Sequence, residues 1–264
     1  MLFKILIWIL FFLGLNSGVA LGADQNLINL GHWSNPDLAQ IITTAGQIKA
    51  PGERIVALSS HFLGTPYVAH TLSGDPQTAE QLVINLAGFD CFTYLDVIEA
   101  LRRSSDLDNF PDQLRQVRYR GGKVAYTNRR HFFSDWVVGS SARIHDVTTA
   151  VGQGRAQVVS KKLNRKSAGA YWLPGIPVTQ RDIAYIPSDK IDRELLSALQ
   201  SGDYVGIYTD NAGLDVSHVG LLVKDHDRFI LRHASSRNSL RRVVDVDLLK
   251  YIQGKPGLVV YRAR

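Results

Sequence analysis

The chain has 264 residues, 45 % hydrophobic and 20 % charged, values of an ordinary globular protein that exclude disordered and collagen-like classes. Its formal net charge of +6 favours anionic partners. A single cysteine rules out an intrachain disulfide.

In chain order, Met1 to Lys4 carries one positive charge, Ile5 to Leu15 is an apolar run interrupted only by Gly14, and Ala20-Leu21-Gly22-Ala23 places small residues where a signal peptidase needs them. This is the layout of a secretory signal peptide over 1–23, cleaved after Gly22 or Ala23. The run falls short of the roughly 20 residues that span a bilayer. Residues 24–264 then form one exported domain with no stable membrane insertion after cleavage, and export argues against a nucleic-acid partner. Ser34-Asn35-Pro36-Asp37 predicts a helix start, with the helix running to Lys49 before Pro51-Gly52. A second helix is expected over 54–62 and a strand over 81–86. Asp90 reads as an N-cap, and Cys91, Tyr94, Leu95, Val97, Ile98 and Leu101 recur at helical spacing as far as Arg103.

From Asp112 to Lys166 twelve Lys or Arg face only three acids. Within 110–185 the pattern is mixed, with strand-like pieces at 123–127 and 156–160. A short helix is expected over 192–200. Strands rich in Val, Ile, Leu and Tyr follow at 204–208, 217–224, 228–234 and 258–262. Helices first and adjacent strands later point to an α+β fold.

Cys91 opens a helix, where unpaired N–H groups favour a thiolate and offer donors to an oxyanion. The Asp90 carboxylate opposes the thiolate, so a base is needed nearby. His218 opens one expected strand and His233 closes the next. A two-residue loop at Asp225-His226 pairs Lys224 with Asp227, and His218 directly with His233, within reach for one imidazole to orient the other. Nucleophile, base and orienting group are then all present.

The ordered elements Gly64-Thr65-Pro66-Tyr67, Phe89-Asp90-Cys91, Gly202-Asp203, Ser217-His218-Val219-Gly220 and His233-Ala234-Ser235 resemble the NlpC/P60 superfamily of papain-like cell-wall hydrolases. Phe92-Thr93-Tyr94 after the cysteine and Asn128-Arg129-Arg130-His131-Phe132-Phe133-Ser134-Asp135-Trp136 resemble its DUF1460 branch. The resemblance implies a papain-like core, a nucleophile-bearing helix packed on an antiparallel sheet, with residues 110–185 as an insertion lining the site. It also implies an N-acetylmuramoyl-L-alanine amidase acting on small muropeptides, notably those with a 1,6-anhydro sugar.

On that reading Cys91 attacks, His218 serves as base and then acid, and His233 orients it. The Cys91 backbone N–H and the Tyr67 hydroxyl receive the oxyanion. Stem peptides carry carboxylates, so Arg129 and Arg130 are expected at the substrate wall, with His131 beside them and Trp136 stacking on the sugar. Asp203 is expected to buttress its strand. No cofactor or metal is expected: His61, His70 and His131 lack a zinc-site spacing. The other readings are a stem-peptide endopeptidase cutting between D-glutamate and the diamino acid, a non-catalytic muropeptide-binding module, and a thiol acyltransferase on lipid. The last would need a membrane-facing apolar element after the signal. The partner is a peptidoglycan fragment, and the basic charge without wall-binding repeats points to the periplasm. Nothing in the sequence sets an oligomeric state.

Overall fold

The computed structural model describes residues 27–139 and 143–264; the expected signal peptide lies outside the described residues. The elements are β1 (Leu27–Asn29), α1 (Asn35–Gly46), α2 (Pro51–Ser60), β2 (Val83–Asn85), α3 (Cys91–Arg103), α4 (Phe110–Arg118), β3 (Ile144–Asp146), α5 (Thr148–Gly152), β4 (Gln157–Leu163), β5 (Arg165–Ser167), β6 (Ala170–Tyr171), β7 (Thr179–Pro187), α6 (Arg193–Ser197), β8 (Tyr204–Tyr208), β9 (Val216–Asp225), β10 (Arg228–Ala234), β11 (Val243–Asp247), α7 (Leu248–Ile252) and β12 (Gly257–Ala263). Among these residues no helix is long and apolar enough to cross a membrane.

The main sheet runs β11-β10-β9-β8-β12-β7-β4, antiparallel throughout, and β3 also pairs with β12. Its central strands are buried on both faces. In β8, Tyr204 and Tyr208 join one core with α1 to α4, while Val205 and Ile207 join a second with α5 to α7. In β12, Val259 and Tyr261 likewise oppose Leu258 and Val260. This period-2 alternation sends successive side chains to opposite faces, so strands that read as continuous apolar runs carry a helical layer on each side.

The helix that starts at Cys91 is fixed at both ends. At its start Asp90 accepts hydrogen bonds from the Phe92 and Thr93 N–H groups, and Thr93 Oγ1 accepts one from the Asp90 N–H, a closed capping box. Such a cap contributes about 1 kcal/mol. Towards its end the buried Glu99 carboxylate accepts from Arg102 and from the Tyr204 hydroxyl of β8. Asp96 accepts from Arg118 of α4 at 2.9 Å. The Cys91 position is thereby tied to the sheet.

The expected α+β class and antiparallel sheet are present, and several local expectations change. The first helix starts at the Ser34 cap as read but ends at Gly46, before Lys49. The second runs Pro51–Ser60, because proline is accommodated in a first helical turn. Residues 123–127 are not a strand; a single 3₁₀ turn occupies Tyr126–Asn128. The hairpin loop is His226-Asp227, so Asp225 pairs with Arg228, one residue later than expected. The register therefore shifts by two. Gly220, not His218, falls opposite His233, and the two histidines are diagonal neighbours on one face.

Candidate active site

Glycine at 220 has a steric reason. A Cβ there would stand 3.0 Å from His233 Cβ, 2.9 Å from the Arg232 carbonyl and 2.7 Å from a Leu231 methyl. With that space open, His218 reaches across, and its Nε2 lies 2.6 Å from His233 Nδ1. The rings meet edge to face, with centroids 4.8 Å apart. His233 is 1 % exposed and its Nε2 has no hydrogen-bond partner among the described residues. If His218 is to accept a proton at Nδ1, its Nε2 carries the hydrogen and donates it to His233 Nδ1. A bulge on β9, opposite Ile207 and Tyr208 of β8, leaves Ser217 as the extra residue just before His218.

Cys91 and His218 line one cavity of about 150 Å³, together with Phe92, His131, Phe133 and Val216. The Val219 backbone N–H, one residue beyond His218, acts on the thiol to lower its pKa. His218 makes its ring hydrogen bond to His233, and contacts between a nucleophile and its base commonly tighten only around substrate. Burial, then the adjacent Asp90 carboxylate, push the thiol up to about 12, while the N–H groups of Val219, Cys91 and Phe92 pull it down. Burial, then His233, Arg237 and Lys255, hold His218 down to about 3. Burial and Arg237 hold His233 at about 4. Burial thus favours the neutral thiol and the neutral imidazoles. Among the described residues no group of three His, Cys, Asp or Glu is placed to hold a metal ion.

Tyr67 lies beside the same thiol. Burial raises its hydroxyl pKa, and the nearby Cys91 and Asp90 charges add to that rise. Arg241 covers its ring at 4.9 Å. His131 reaches the cavity, with Nε2 2.8 Å from the Tyr126 carbonyl oxygen. Of the 110–185 segment, residues 131–133 line the Cys91 cavity.

Arg129 and Arg130 line a pocket with Asp90, Phe92 and His131 and are also held by internal partners, whereas Trp136 is taken up by the core. Arg129 is bound by Glu80 and by the Ser73 and Gly74 carbonyls. Arg130 Nη1 donates to the carbonyls of Gln116, Val117 and Tyr119, closing the end of α4. Trp136 is 2 % exposed, against Phe92 and Tyr204 in the core, so no sugar can stack on it. The 3₁₀ turn Phe133–Trp136 buries that stretch as a wedge: the Ser134 N–H donates to Asp215, Arg181 pairs with Asp135, and Phe133 stacks on Tyr261. Asp203 is a buttress as read, buried and paired with Arg262 at 2.6 Å.

One neighbour of the histidines escaped the sequence reading. Tyr251 of α7 packs on His233 at 5.1 Å and on His218 at 6.0 Å between centroids, and the Arg237 guanidinium lies over the Tyr251 ring at 5.0 Å. Helical spacing marks Tyr251 only as one more half-buried aromatic.

Residues 57–258 match the sequence profile of the AmiA-like family, described as N-acetylmuramoyl-L-alanine amidase-like. No curated protein matches the chain. Among solved structures, it is similar to an N-acetylmuramoyl-L-alanine amidase from Bacteroides uniformis ATCC 8492, with 28 % identity over 81 % of this chain and 99 % of that one, at a TM-score of 0.69. A DUF1460 protein from Legionella pneumophila str. Philadelphia 1 shares the fold, with 22 % identity over 87 % of this chain and 94 % of that one, at a TM-score of 0.73. A candidate xylanase from Bacteroides fragilis is 29 % identical over 77 % of this chain and 98 % of that one, at a TM-score of 0.65. With the profile spanning well over half of its length, the chain belongs to the N-acetylmuramoyl-L-alanine amidase-like family.

Proposed function

We propose that this protein is an exported cysteine amidase of papain-like NlpC/P60 type. It cleaves the amide between the lactyl group of muramic acid, in its 1,6-anhydro form, and the L-alanine of a stem peptide. The observation that carries this reading is the His218–His233 hydrogen bond of 2.6 Å at the cavity that also holds Cys91 at the head of α3. The family and the Bacteroides uniformis amidase support the choice of bond.

His218 Nδ1 takes the thiol proton as Sγ attacks the lactyl carbonyl carbon. Burial favours the neutral thiol and imidazole, a setting that suits proton transfer in concert with attack. The tetrahedral oxyanion is received by the Cys91 N–H and the Tyr67 hydroxyl. His218, now cationic and steadied through Nε2 by His233, returns its proton to the alanine nitrogen as the C–N bond breaks. The peptide leaves, and water attacks the thioester with His218 again as base. Residues 1–23 act as the export signal and the periplasm is the working compartment.

The test is mass spectrometry of anhydro-muropeptides incubated with the mature protein, beside Cys91→Ala. Wild type alone should release a free peptide beginning with L-alanine. A cut between D-glutamate and the diamino acid would replace this reading with an endopeptidase. Binding without cleavage would leave a muropeptide-binding module.

A further inference from the structure

The substrate proposed above is an acidic peptide attached to a sugar, and the expected arginines, Arg129 and Arg130, line the pocket beside Asp90 while donating to Glu80 and to backbone carbonyls. Further cations line a second cavity, where Lys166 sits 4.6 Å over the Trp172 ring. This cavity, of about 610 Å³, is lined by Lys161, Lys162, Arg165 and Lys166, against a single acid, Asp210. Lys162, Arg165 and Lys166 are exposed, and no ion pair among the described residues includes them. Lys161 is buried and aimed: its Nζ donates to the Thr209 carbonyl and, at 3.1 Å, to that of Asn211, and it sits 4.8 Å over the Tyr208 ring. Tyr208 and Tyr185 stack face to face at 3.8 Å as one wall.

The opposite wall is built around Asn164. It is fully buried with a left-handed backbone (φ 73°), its Nδ2 donates to the Leu173 and Ile176 carbonyls, and its N–H donates to the Gly213 carbonyl at 2.8 Å. Trp172 Nε1 donates to the Ala212 carbonyl at 2.8 Å. At Gly213, itself at φ 77°, a Cβ would lie 2.5 Å from the Arg165 carbonyl oxygen, so the β5–β6 hairpin rests directly on the 209–215 loop. That loop separates two cavities: Gly213 lines the basic one and Leu214 lines the one holding Cys91. Adjacent Cα atoms are about 3.8 Å apart, and an extended tripeptide spans roughly 10 Å. The two cavities thus meet the same loop at adjacent residues, on the scale of a short peptide.

We infer that the basic cavity is the subsite for the carboxylates of the stem peptide, an acidic-peptide site that selects substrate by its distal charge. This rests on the amide-cleaving reading above. Arg165 supplies two-point binding of a carboxylate and the lysines supply point charges.

The test uses the mature protein and an Arg165→Gln/Lys166→Gln double variant, with two substrates: anhydro-muramoyl-L-Ala–γ-D-Glu–diaminopimelate, and anhydro-muramoyl-L-alanine amide, which lacks the distal carboxylates. KM for the tripeptide substrate should rise about tenfold or more, with kcat held and the short substrate unaffected. The rise should shrink at high salt. An unchanged KM, or an equal rise for both substrates, overturns the inference. Titration of Cys91→Ala, with and without the double substitution, against the free acidic tripeptide separates the two claims. Weaker binding in the double variant supports the subsite even if the protein cleaves neither substrate, a result that would remove the amidase reading alone. Equal binding removes the subsite whatever is cleaved.

Discussion

At Cys91, burial and the Asp90 charge act against three backbone N–H groups, and burial prevails, leaving the thiol near 12. Asp90 has two roles that substitution can separate: its oxygens cap α3 and its charge opposes a thiolate. Asparagine caps about as well as aspartate. Asp90→Asn should therefore fold with near-native stability and alkylate faster with iodoacetamide at fixed pH, since Cys91 is the only thiol. Unchanged alkylation would remove the Asp90 charge from the account. Tyr251 is argued to act through the histidines. Tyr251→Ala should lower kcat by about tenfold, in keeping with a lost general-base geometry, and displace the acid limb of the pH profile. Tyr251→Phe should restore both, because the ring makes the contact. If Phe and Ala variants behave alike, the ring contact is not what positions His218.

At the scale of elements, legibility follows how local the determining chemistry is. The helix that begins at Cys91 was readable to its last residue, because its Asp90 cap and its apolar period both lie within the segment. Strands β8 and β10 were readable for the same reason. The pairing between β9 and β10 was not: one residue's difference in the loop, with His226 taking a φ of 53°, moves every partner by two. The same-face relation of His218 and His233 survived because the shift is even. Helix α4 was missed although Phe110, Leu114 and Val117 hold helical spacing, since it is only nine residues long amid basic residues. The roles of Arg129, Arg130 and Trp136 were out of reach, being set by Glu80, by the end of α4 and by Phe92 and Tyr204, contacts that only the tertiary fold creates. The corrected register makes its own forecast at Gly220. Gly220→Ala forces a methyl against backbone and His233 Cβ, and overpacking of this kind costs about 1–3 kcal/mol. A fall in melting temperature with loss of turnover is expected. A native-like Gly220→Ala variant would contradict the pairing of Gly220 with His233.

For the whole molecule, the buried histidines couple the site to stability. His218 and His233 titrate near 3 and 4 when folded, against 6.5 for an ordinary imidazole, chiefly because burial disfavours the cation. The unfolded chain therefore binds more protons than the folded one between about pH 6.5 and 4, and stability must fall as pH falls through that window. Each histidine contributes up to about 1.4 kcal/mol per pH unit there. Above pH 6.5 both states carry neutral rings and the contribution is flat. The buried carboxyls Asp96 and Asp215 act oppositely: burial raises them above 3.8, so the folded state takes up their protons first and gains stability as pH drops towards 3.8. Wild type alone mixes these signs, so the informative quantity is a difference. Denaturant unfolding of wild type and of His218→Gln/His233→Gln, measured from pH 7.5 to 4.5, should give curves that diverge only below about 6.5, with the double variant less acid-sensitive even if less stable overall. Parallel curves across that range would mean that the histidines are not held neutral by the fold. They would also leave no basis for a base that enters the reaction uncharged.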